Sequence, residues 1–339
     1  MNALNLQPQS AVLTMASIRE AHERIRDKIH RTPVMTSEVL DSLARARLYF
    51  KCENLQKAGA FKARGATNAV FLLNEAEAVR GVVTHSSGNH AAALARAARL
   101  RGIPAYIVMP KNAPLAKQAA VKRYGGDIVL CEPTLEARET TARALMERTG
   151  AAFIHPYDDL RVMAGQGTTA IELLADVPDL DAILCPVGGG GQLSGIAVAA
   201  KSLKPGIRVI GVEPKGADDA ARSLAAGHIV SMVEPRTIAD GLKTSLGERP
   251  FAEIIRLVDD IVTVSEDSIV QAMRLIWEVM KMIVEPSGAV PYAAITEGHL
   301  SSARSSGDGA ARIGIILSGG NLDLDRLPWQ SASPVGSVQ

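Results

Sequence analysis

Short apolar runs alternate with amphipathic segments along most of the chain. In the first half, runs rich in valine, isoleucine and leucine predict strands, and the segments between them repeat apolar residues at helical spacing. The predicted strands are 81–84, 105–109 and 127–130, and the predicted helices are 89–100, 113–124 and 134–149. Strand–helix alternation at this pitch is typical of a parallel sheet covered by helices.

The same pattern flanks this segment on both sides. A helix at 18–29 and a strand at 48–52 are predicted before it, and helices at 193–203 and 265–284 after it. Later runs dense in isoleucine, leucine and valine predict strands that are covered on both faces, at 182–187, 208–212 and 312–317. The chain after Leu327 is rich in serine and proline and is expected to be loose. The fold class is therefore α/β, with parallel sheets flanked by helices.

Composition excludes several classes of protein. The 339 residues are 47% hydrophobic and 22% charged, with 37 basic and 36 acidic residues, so we expect a folded chain with no nucleic-acid or membrane-surface partner. No run of about 18 apolar residues predicts a membrane span. Cys52, Cys131 and Cys185 are too far apart for a disulfide framework or a zinc site, which favours a cytoplasmic location.

A four-glycine turn follows the predicted strand at 182–187. Its members, Gly188 to Gly191, allow several backbone N–H groups to converge at the start of the next helix, where an anion such as phosphate is favoured. A dinucleotide fingerprint remains an alternative, because Glu213 follows by about 20 residues, where a ribose-binding acid would lie. A plain tight turn is the third interpretation.

Two further segments carry reactive side chains. Lys62 lies among small residues and Phe61, where desolvation would lower the pKa of its amine and favour imine formation, although most lysines are solvated. Residues 85–90 read His-Ser-Ser-Gly-Asn-His between a strand and a helix start. They predict a ligand-binding loop, with simple capping of the helix as the alternative. In open α/β sheets, ligands bind beyond the carboxyl ends of the strands, where this loop and the glycine turn both lie.

Four motifs together resemble the fold type II pyridoxal-phosphate enzymes, which share a two-lobed fold like that of the tryptophan synthase β subunit. The motifs are residues 53–62 (ENLQKAGAFK), 86–90 (SSGNH), 186–191 (PVGGGG) and 318–321 (SGGN). They resemble the serine/threonine dehydratase and serine racemase family, and most of all its serine racemase and 3-hydroxyaspartate dehydratase subgroup. The resemblance extends from about Ile18 to Leu327.

The resemblance implies an architecture and a reaction. Residues 1–75 and 158–330 would form a large cofactor-binding domain, residues 76–157 a small domain, and residues 331–339 a loose tail. The chain would be a homodimer that acts on a small amino acid. It would be an ammonia-lyase that dehydrates and deaminates serine, threonine or 3-hydroxyaspartate to a 2-oxo acid. Racemisation of serine or aspartate at the same site is the alternative, and a dinucleotide-dependent oxidoreductase is a remote one.

The resemblance also implies which residues hold the cofactor, pyridoxal 5'-phosphate. Lys62 would bind it covalently as an imine and would then move the proton at the substrate Cα. Phe61 would pack against the pyridine ring, Asn89 would hydrogen-bond its hydroxyl group, and Ser318 would meet its nitrogen. A neutral serine leaves that nitrogen unprotonated, which favours loss of a β-substituent over transamination. Phosphate would be held by the four glycines, which are Gly188, Gly189, Gly190 and Gly191.

The implied substrate contacts lie on the loop at 86–90 and around it. Ser86, Ser87, Gly88 and His90 would bind the α-carboxylate. Ser87 would also act as a second acid or base, which would give access to both configurations at Cα. In the subgroup, the residues matching His85, Arg138 and Thr244 lie near the substrate side chain. A cation there would favour a second carboxylate, although Arg138 could also be an exposed helix charge.

A divalent-cation site is the last implication. Glu213, the Ala217 carbonyl and Asp219 resemble the subgroup's metal ligands. An all-oxygen set suits Mg²⁺, or alternatively Ca²⁺ or Mn²⁺. From the spacing of the residues alone, a solvated acidic turn would be the better explanation of this segment.

Overall fold

Two β-sheets organise the chain, which the computed structural model describes over residues 12–299 and 310–330. Within those residues the strands are β1 (Val34–Met35), β2 (Arg47–Lys51), β3 (Val82–His85), β4 (Ala105–Pro110), β5 (Asp127–Cys131), β6 (Ala152–Phe153), β7 (Ala182–Pro186), β8 (Arg208–Pro214), β9 (Asp260–Val264) and β10 (Arg312–Ile316). The helices are α1 (Met15–Ile25), α2 (Glu38–Ala44), α3 (Lys62–Leu72), α4 (Glu75–Ala78), α5 (Asn89–Arg101), α6 (Leu115–Arg123), α7 (Leu135–Thr149), α8 (Leu160–Asp176), α9 (Gly191–Leu203), α10 (Asp219–Ala226), α11 (Glu248–Leu257), α12 (Glu266–Met280) and α13 (Pro286–Thr296).

The larger sheet has six strands in the order β1-β2-β10-β7-β8-β9, and the smaller has four in the order β5-β4-β3-β6. Apart from the antiparallel pair of β1 and β2, neighbouring strands are parallel. Strand β10 lies between β2 and β7, so that Ile315 pairs with Phe50 on one side and with Leu184 on the other. The chain before and after the small sheet therefore builds one large sheet, and the predicted α/β class is confirmed.

Strand β7 shows how the apolar runs produce this arrangement. All five of its residues are buried. Because successive side chains of a strand point to opposite faces, Ile183 and Cys185 join the hydrophobic core on one face, while Ala182 and Leu184 join the core on the other. A run without polar alternation is thus what a strand covered on both sides requires.

Helices α3 and α8 cross at very close range beside the large sheet. A Cβ atom added to Gly165 of α8 would lie 2.6 Å from the Gly65 Cα of α3. Only glycine at both positions allows the two backbones to approach in this way. The crossing fixes the start of α3, where Lys62 is the first helical residue.

A buried cluster of charges holds the same end of α3. The Arg64 guanidinium is fully buried and contacts the carboxylates of Glu53 and Glu172, each at 2.7 Å. Lys51 of β2 donates to Glu172 at 2.7 Å as well. Two cations and two carboxylates therefore balance one another, which is the condition under which buried charges are tolerated.

Three of the predicted features differ from the structure, each for a local reason. Helix α1 begins earlier than predicted, at Met15, because Thr14 and Ser17 cap each other's backbone N–H groups. Helix α12 ends at Met280, because Lys281 takes the left-handed conformation (φ 58°) that commonly ends helices. Trp329 packs edge-on against Trp277 at 5.4 Å between ring centroids, so the chain just after Leu327 is not loose. Residues 331–339 lie outside the described residues.

Candidate active site

A cavity of about 560 Å³ lies where strands of both sheets end. Its walls come from the segments that follow β3, β6, β7 and β10 at their carboxyl ends, from the start of α3, and from a loop around residues 240–245. This is the position at which α/β sheets bind ligands, and the volume is that of an ordinary small-molecule site.

All side chains and glycines predicted to bind cofactor or substrate line this one cavity. They are Phe61, Lys62, His85, Ser86, Ser87, Gly88, Asn89, His90, Arg138, Gly188, Gly189, Gly190, Gly191, Thr244 and Ser318. The individual role of each residue stays a prediction. The predicted metal ligands Glu213, Ala217 and Asp219 are absent from the lining.

Lys62 presents its amine to the cavity. Its Nζ donates to the carbonyl oxygen of Pro156 at 2.7 Å and lies 4.9 Å from the centre of the Phe61 ring. Burial lowers the pKa of this amine to about 8, and no carboxylate contributes to raise it again. An appreciable fraction of the amine is therefore neutral near physiological pH, which an aldehyde-binding lysine requires.

The four-glycine turn is shaped so that side chains are excluded from it. A Cβ on Gly189 would overlap the ring of Tyr157, and one on Gly190 would lie 2.6 Å from Leu246. Gly190 also has a positive φ of 84°, and Gly191 then begins α9. Bare backbone at the start of a 13-residue helix suits a phosphate group, so the residues present fit the predicted cofactor.

Three buried histidines lie beside the cavity, at the end of β3, at the start of α5 and just after β6. Burial lowers the pKa of His85 to about 4, with Arg138 adding to the effect, and lowers that of His90 to about 3. Burial also holds the pKa of His155 well below its ordinary value. All three imidazoles are therefore neutral at physiological pH. Positive charge in the cavity lining comes from lysine and arginine side chains, among them Arg138 and Lys117, which is paired with Asp240.

Two residues that the sequence analysis missed are central to the lining. The Tyr157 hydroxyl accepts a hydrogen bond from the Thr244 hydroxyl at 2.8 Å, and its ring covers Gly189. Glu285 accepts from the Asn89 amide at 2.8 Å, and burial raises the pKa of its carboxyl to about 8. Neither residue belongs to a recognisable motif, although the proline before Tyr157 lies in a bend and the proline after Glu285 begins α13.

The predicted metal ligands lie at the end of β8 and the start of α10. Glu213 accepts the backbone N–H groups of Ala220 and Ala221 at 3.2 and 2.9 Å, while Asp219 accepts that of Leu246 at 2.8 Å. Burial, with the Asp219 carboxylate adding to the effect, raises the pKa of Glu213 to about 9, and burial raises that of Asp219 to about 6. Asp219 Oδ1 is buried and has no hydrogen-bond partner among the described residues. This orphan oxygen suits a cation, but no cluster of three or more His, Cys, Asp or Glu side chains with metal-binding geometry occurs within residues 12–299 and 310–330.

The fold and the site together define a class of enzyme that holds an aldehyde cofactor on a lysine and its phosphate on a glycine turn. The chain belongs to the family described as pyridoxal-phosphate dependent enzyme, whose family model matches residues 25–319. The predicted family and fold type are thereby confirmed, and pyridoxal phosphate is the cofactor that the family implies. A dinucleotide at the glycine turn is correspondingly disfavoured.

Two relatives and one solved structure show which members of the family the chain resembles. The chain is 53% identical to a serine racemase of Arabidopsis thaliana over 315 residues, which cover 93% of this chain and 95% of the relative. It is 50% identical to the beta-hydroxyaspartate dehydratase of Paracoccus denitrificans (strain Pd 1222) over 316 residues, covering 93% and 98%. The structure of maize serine racemase superimposes with a TM-score of 0.90 at 49% identity, covering 93% of this chain and 95% of that one. In the described part of the chain, no helix is long and apolar enough to cross a membrane.

Proposed function

We propose that the chain is an ammonia-lyase that removes water and ammonia from a β-hydroxy amino acid. The observation that carries this proposal is the amine of Lys62, which lies in the cavity with a pKa lowered to about 8. That amine can bind an aldehyde, and afterwards it can accept or deliver a proton at the substrate. The relatives named as dehydratase and racemases support the same site chemistry.

The cavity residues divide between cofactor and substrate. Pyridoxal phosphate, when bound, supplies an electron sink for the bonds at the substrate Cα. Lys62 would hold its aldehyde carbon, Phe61 would pack on its ring, and Asn89 would hydrogen-bond its hydroxyl group. Ser318 would face its ring nitrogen as a neutral partner, and residues 188–191 would hold its phosphate.

Lys62 then serves as the base at the reacting carbon. Its neutral amine would take the Cα proton. Burial lowers the pKa of His85 and His90, so these imidazoles are weaker bases than the Lys62 amine. The β-hydroxyl leaves with a proton as water, and hydrolysis of the released product gives a 2-oxo acid and ammonia. Ser86, Ser87, Gly88 and His90 would hold the α-carboxylate away from the base, with the hydroxyl and N–H groups of the loop as donors.

We further propose that the substrate is 3-hydroxyaspartate. Arg138 lines the cavity, and its Nε is buried without a hydrogen-bond partner among the described residues. A second carboxylate on the substrate would accept hydrogen bonds from this guanidinium. The side chains of serine and threonine carry no such carboxylate. His85 and Thr244 line the same cavity and would complete the pocket for the substrate side chain. The relative from Paracoccus denitrificans, named for beta-hydroxyaspartate, supports the assignment.

Racemisation is a second candidate, favoured by Ser87. Its hydroxyl lines the cavity on a different segment from Lys62, so that it could exchange a proton at Cα independently of the lysine. The serine racemases among the relatives support this activity equally well. Both reactions begin with loss of the Cα proton and differ in whether the β-hydroxyl leaves before a proton returns.

A substrate panel separates the candidates. The holoenzyme is incubated with the stereoisomers of 3-hydroxyaspartate, serine, threonine and aspartate, and 2-oxo acid release is measured together with chiral chromatography of the remaining substrate. We expect release from 3-hydroxyaspartate to exceed both inversion and release from the other substrates. Inversion that is faster than release would instead assign the chain as a racemase, and Ser87→Ala should then abolish the inversion.

Four further properties are also proposed. A divalent cation, Mg²⁺ in the first place, would bind Glu213, the Ala217 carbonyl and Asp219, and it would raise the thermal stability of the protein in a manner reversed by a chelator. Two copies would form a homodimer, which size-exclusion chromatography with light scattering measures. The resemblance supports a large domain of residues 1–75 and 158–330 and a small domain of residues 76–157. The cysteine usage supports a cytoplasmic location.

A further inference from the structure

Gln192 is the first side chain after the four-glycine turn. It lies in the first turn of α9, lines the cavity and is only 5% exposed. Neither its amide oxygen nor its amide nitrogen has a hydrogen-bond partner among the described residues. The chain thus buries a complete primary amide at the wall of the cavity without satisfying either end.

An unsatisfied buried amide needs an explanation. Removing such a group from water without a replacement hydrogen bond is costly, and most buried polar groups in native proteins are paired. The buried Gln56 illustrates the usual situation, because its amide donates to the carbonyl oxygen of His30 at 2.7 Å and accepts the backbone N–H of the same residue at 2.9 Å. Gln192 differs in that it borders a cavity, so its partner can be a ligand.

We propose that the Gln192 side-chain amide donates a hydrogen bond to the phosphate group of the cofactor. This inference rests on the proposed binding of pyridoxal phosphate in the cavity. The four glycines offer only backbone N–H groups, so Gln192 is the nearest side chain in sequence that can add a donor at the same helix end. An amide N–H donating to a charged phosphate oxygen forms a charge-assisted bond, which is stronger than one between neutral groups.

Cofactor affinity is the direct measure of this bond. Apoprotein of the wild type and of Gln192→Leu is titrated with pyridoxal phosphate and, separately, with pyridoxal, which lacks the phosphate. A hydrogen bond to a charged group corresponds to an affinity loss of about 10- to 100-fold. We expect that loss for pyridoxal phosphate in the leucine variant, and an unchanged affinity for pyridoxal.

Two variants accompany the leucine variant. Gln192→Glu keeps the length of the side chain and places a negative charge beside the phosphate, so we expect it to bind pyridoxal phosphate more weakly than Gln192→Leu does. It also serves as the second test if the leucine variant does not fold. Gln271→Leu changes an exposed glutamine of α12 that is not in the cavity lining, and we expect wild-type affinity from this matched control.

The affinities of these variants decide whether Gln192 contacts the phosphate group. Equal affinity for pyridoxal phosphate in the wild type and Gln192→Leu, or in the wild type and Gln192→Glu, would overturn the inference. Equal losses for pyridoxal and pyridoxal phosphate would also overturn it, because they would indicate packing and not a phosphate contact. Unchanged cofactor affinity with an altered KM would assign the amide to the substrate. If the wild type itself bound no pyridoxal phosphate, the proposed function would fail.

Discussion

Removing Arg64 should destabilise the protein severely, because the residue neutralises two buried carboxylates. Its guanidinium donates two hydrogen bonds to Glu53, two to Glu172 and one to Thr168, all at 2.7–3.0 Å. In Arg64→Leu, Lys51 would remain as the single cation beside both carboxylates. Breaking a buried ion pair from one side costs about 3–5 kcal/mol, a large share of the about 5–15 kcal/mol that stabilises a typical protein.

Urea unfolding of the apoprotein, followed by far-UV circular dichroism, measures this loss as a lower midpoint at an unchanged slope. Arg64→Leu combined with Glu53→Leu is the control, because Lys51 and Glu172 then balance each other. We expect the double variant to be more stable than the single one. An Arg64→Leu variant within about 1 kcal/mol of the wild type, or a double variant less stable than the single one, would refute the reasoning.

The same cluster sets a dependence of stability on pH. Burial alone would raise the pKa of Glu172, but hydrogen bonds and charge from Arg64 and Lys51 outweigh it and lower this pKa to about 2, from an ordinary value of 4.5. A carboxyl with a depressed pKa stabilises the folded state fully above its unfolded-state pKa. That contribution is therefore lost as the pH falls from about 4.5 towards 2.

Three further outcomes follow from the cavity. Gly189→Ala should weaken cofactor binding about 5- to 150-fold, because its Cβ would overlap the Tyr157 ring. Gly206→Ala changes a glycine with open space around it and should bind the cofactor as the wild type does. Equilibrium dialysis measures both affinities, and a Gly189→Ala affinity equal to that of the wild type would contradict the reasoning. Arg138→Ala should lower kcat/KM for 3-hydroxyaspartate about 10- to 100-fold and leave serine turnover within about threefold, and equal losses would count against the second-carboxylate contact. Cofactor uptake by the apoprotein should accelerate as the pH rises to about 8 and then level off, because the neutral form of the Lys62 amine reacts with the aldehyde. Stopped-flow absorbance measures this rate, and a rate that is independent of pH would exclude Lys62 as the reacting amine.

Two parts of the site could be predicted from local pattern, because they follow strands of parallel sheets. Parallel strands end at a common edge, so the loop at residues 86–90 and the glycine turn were expected to lie close together, and both line one cavity. Ser318, Arg138 and Thr244 also line it, but they were predicted from the family resemblance. Tyr157 and Glu285 could not be found in this way. Each reaches the cavity from a connection whose path depends on tertiary packing, and neither carries a local pattern.

The helices differ in the same way: those with a local sequence signal were predicted, and those defined by tertiary packing were not. Helix α13 was not predicted, because it is apolar on all sides and contains Pro291, and such a segment has no amphipathic period. Helix α8 was missed as well, since Gly165 and Gly167 lower its helix propensity while serving close packing with neighbouring helices. Helix α5, with charged residues in its last turn and Gly102 after it, was predicted within one residue at its end.

The most direct test concerns the covalent partner of the cofactor. The protein is incubated with pyridoxal phosphate, reduced with borohydride and digested, and the labelled peptide is sequenced by mass spectrometry. We expect a yellow protein whose label maps to Lys62, and a colourless, unlabelled Lys62→Ala variant. A wild-type protein that stays colourless, or a label on any other lysine, would contradict the assignment of this cavity as the active site.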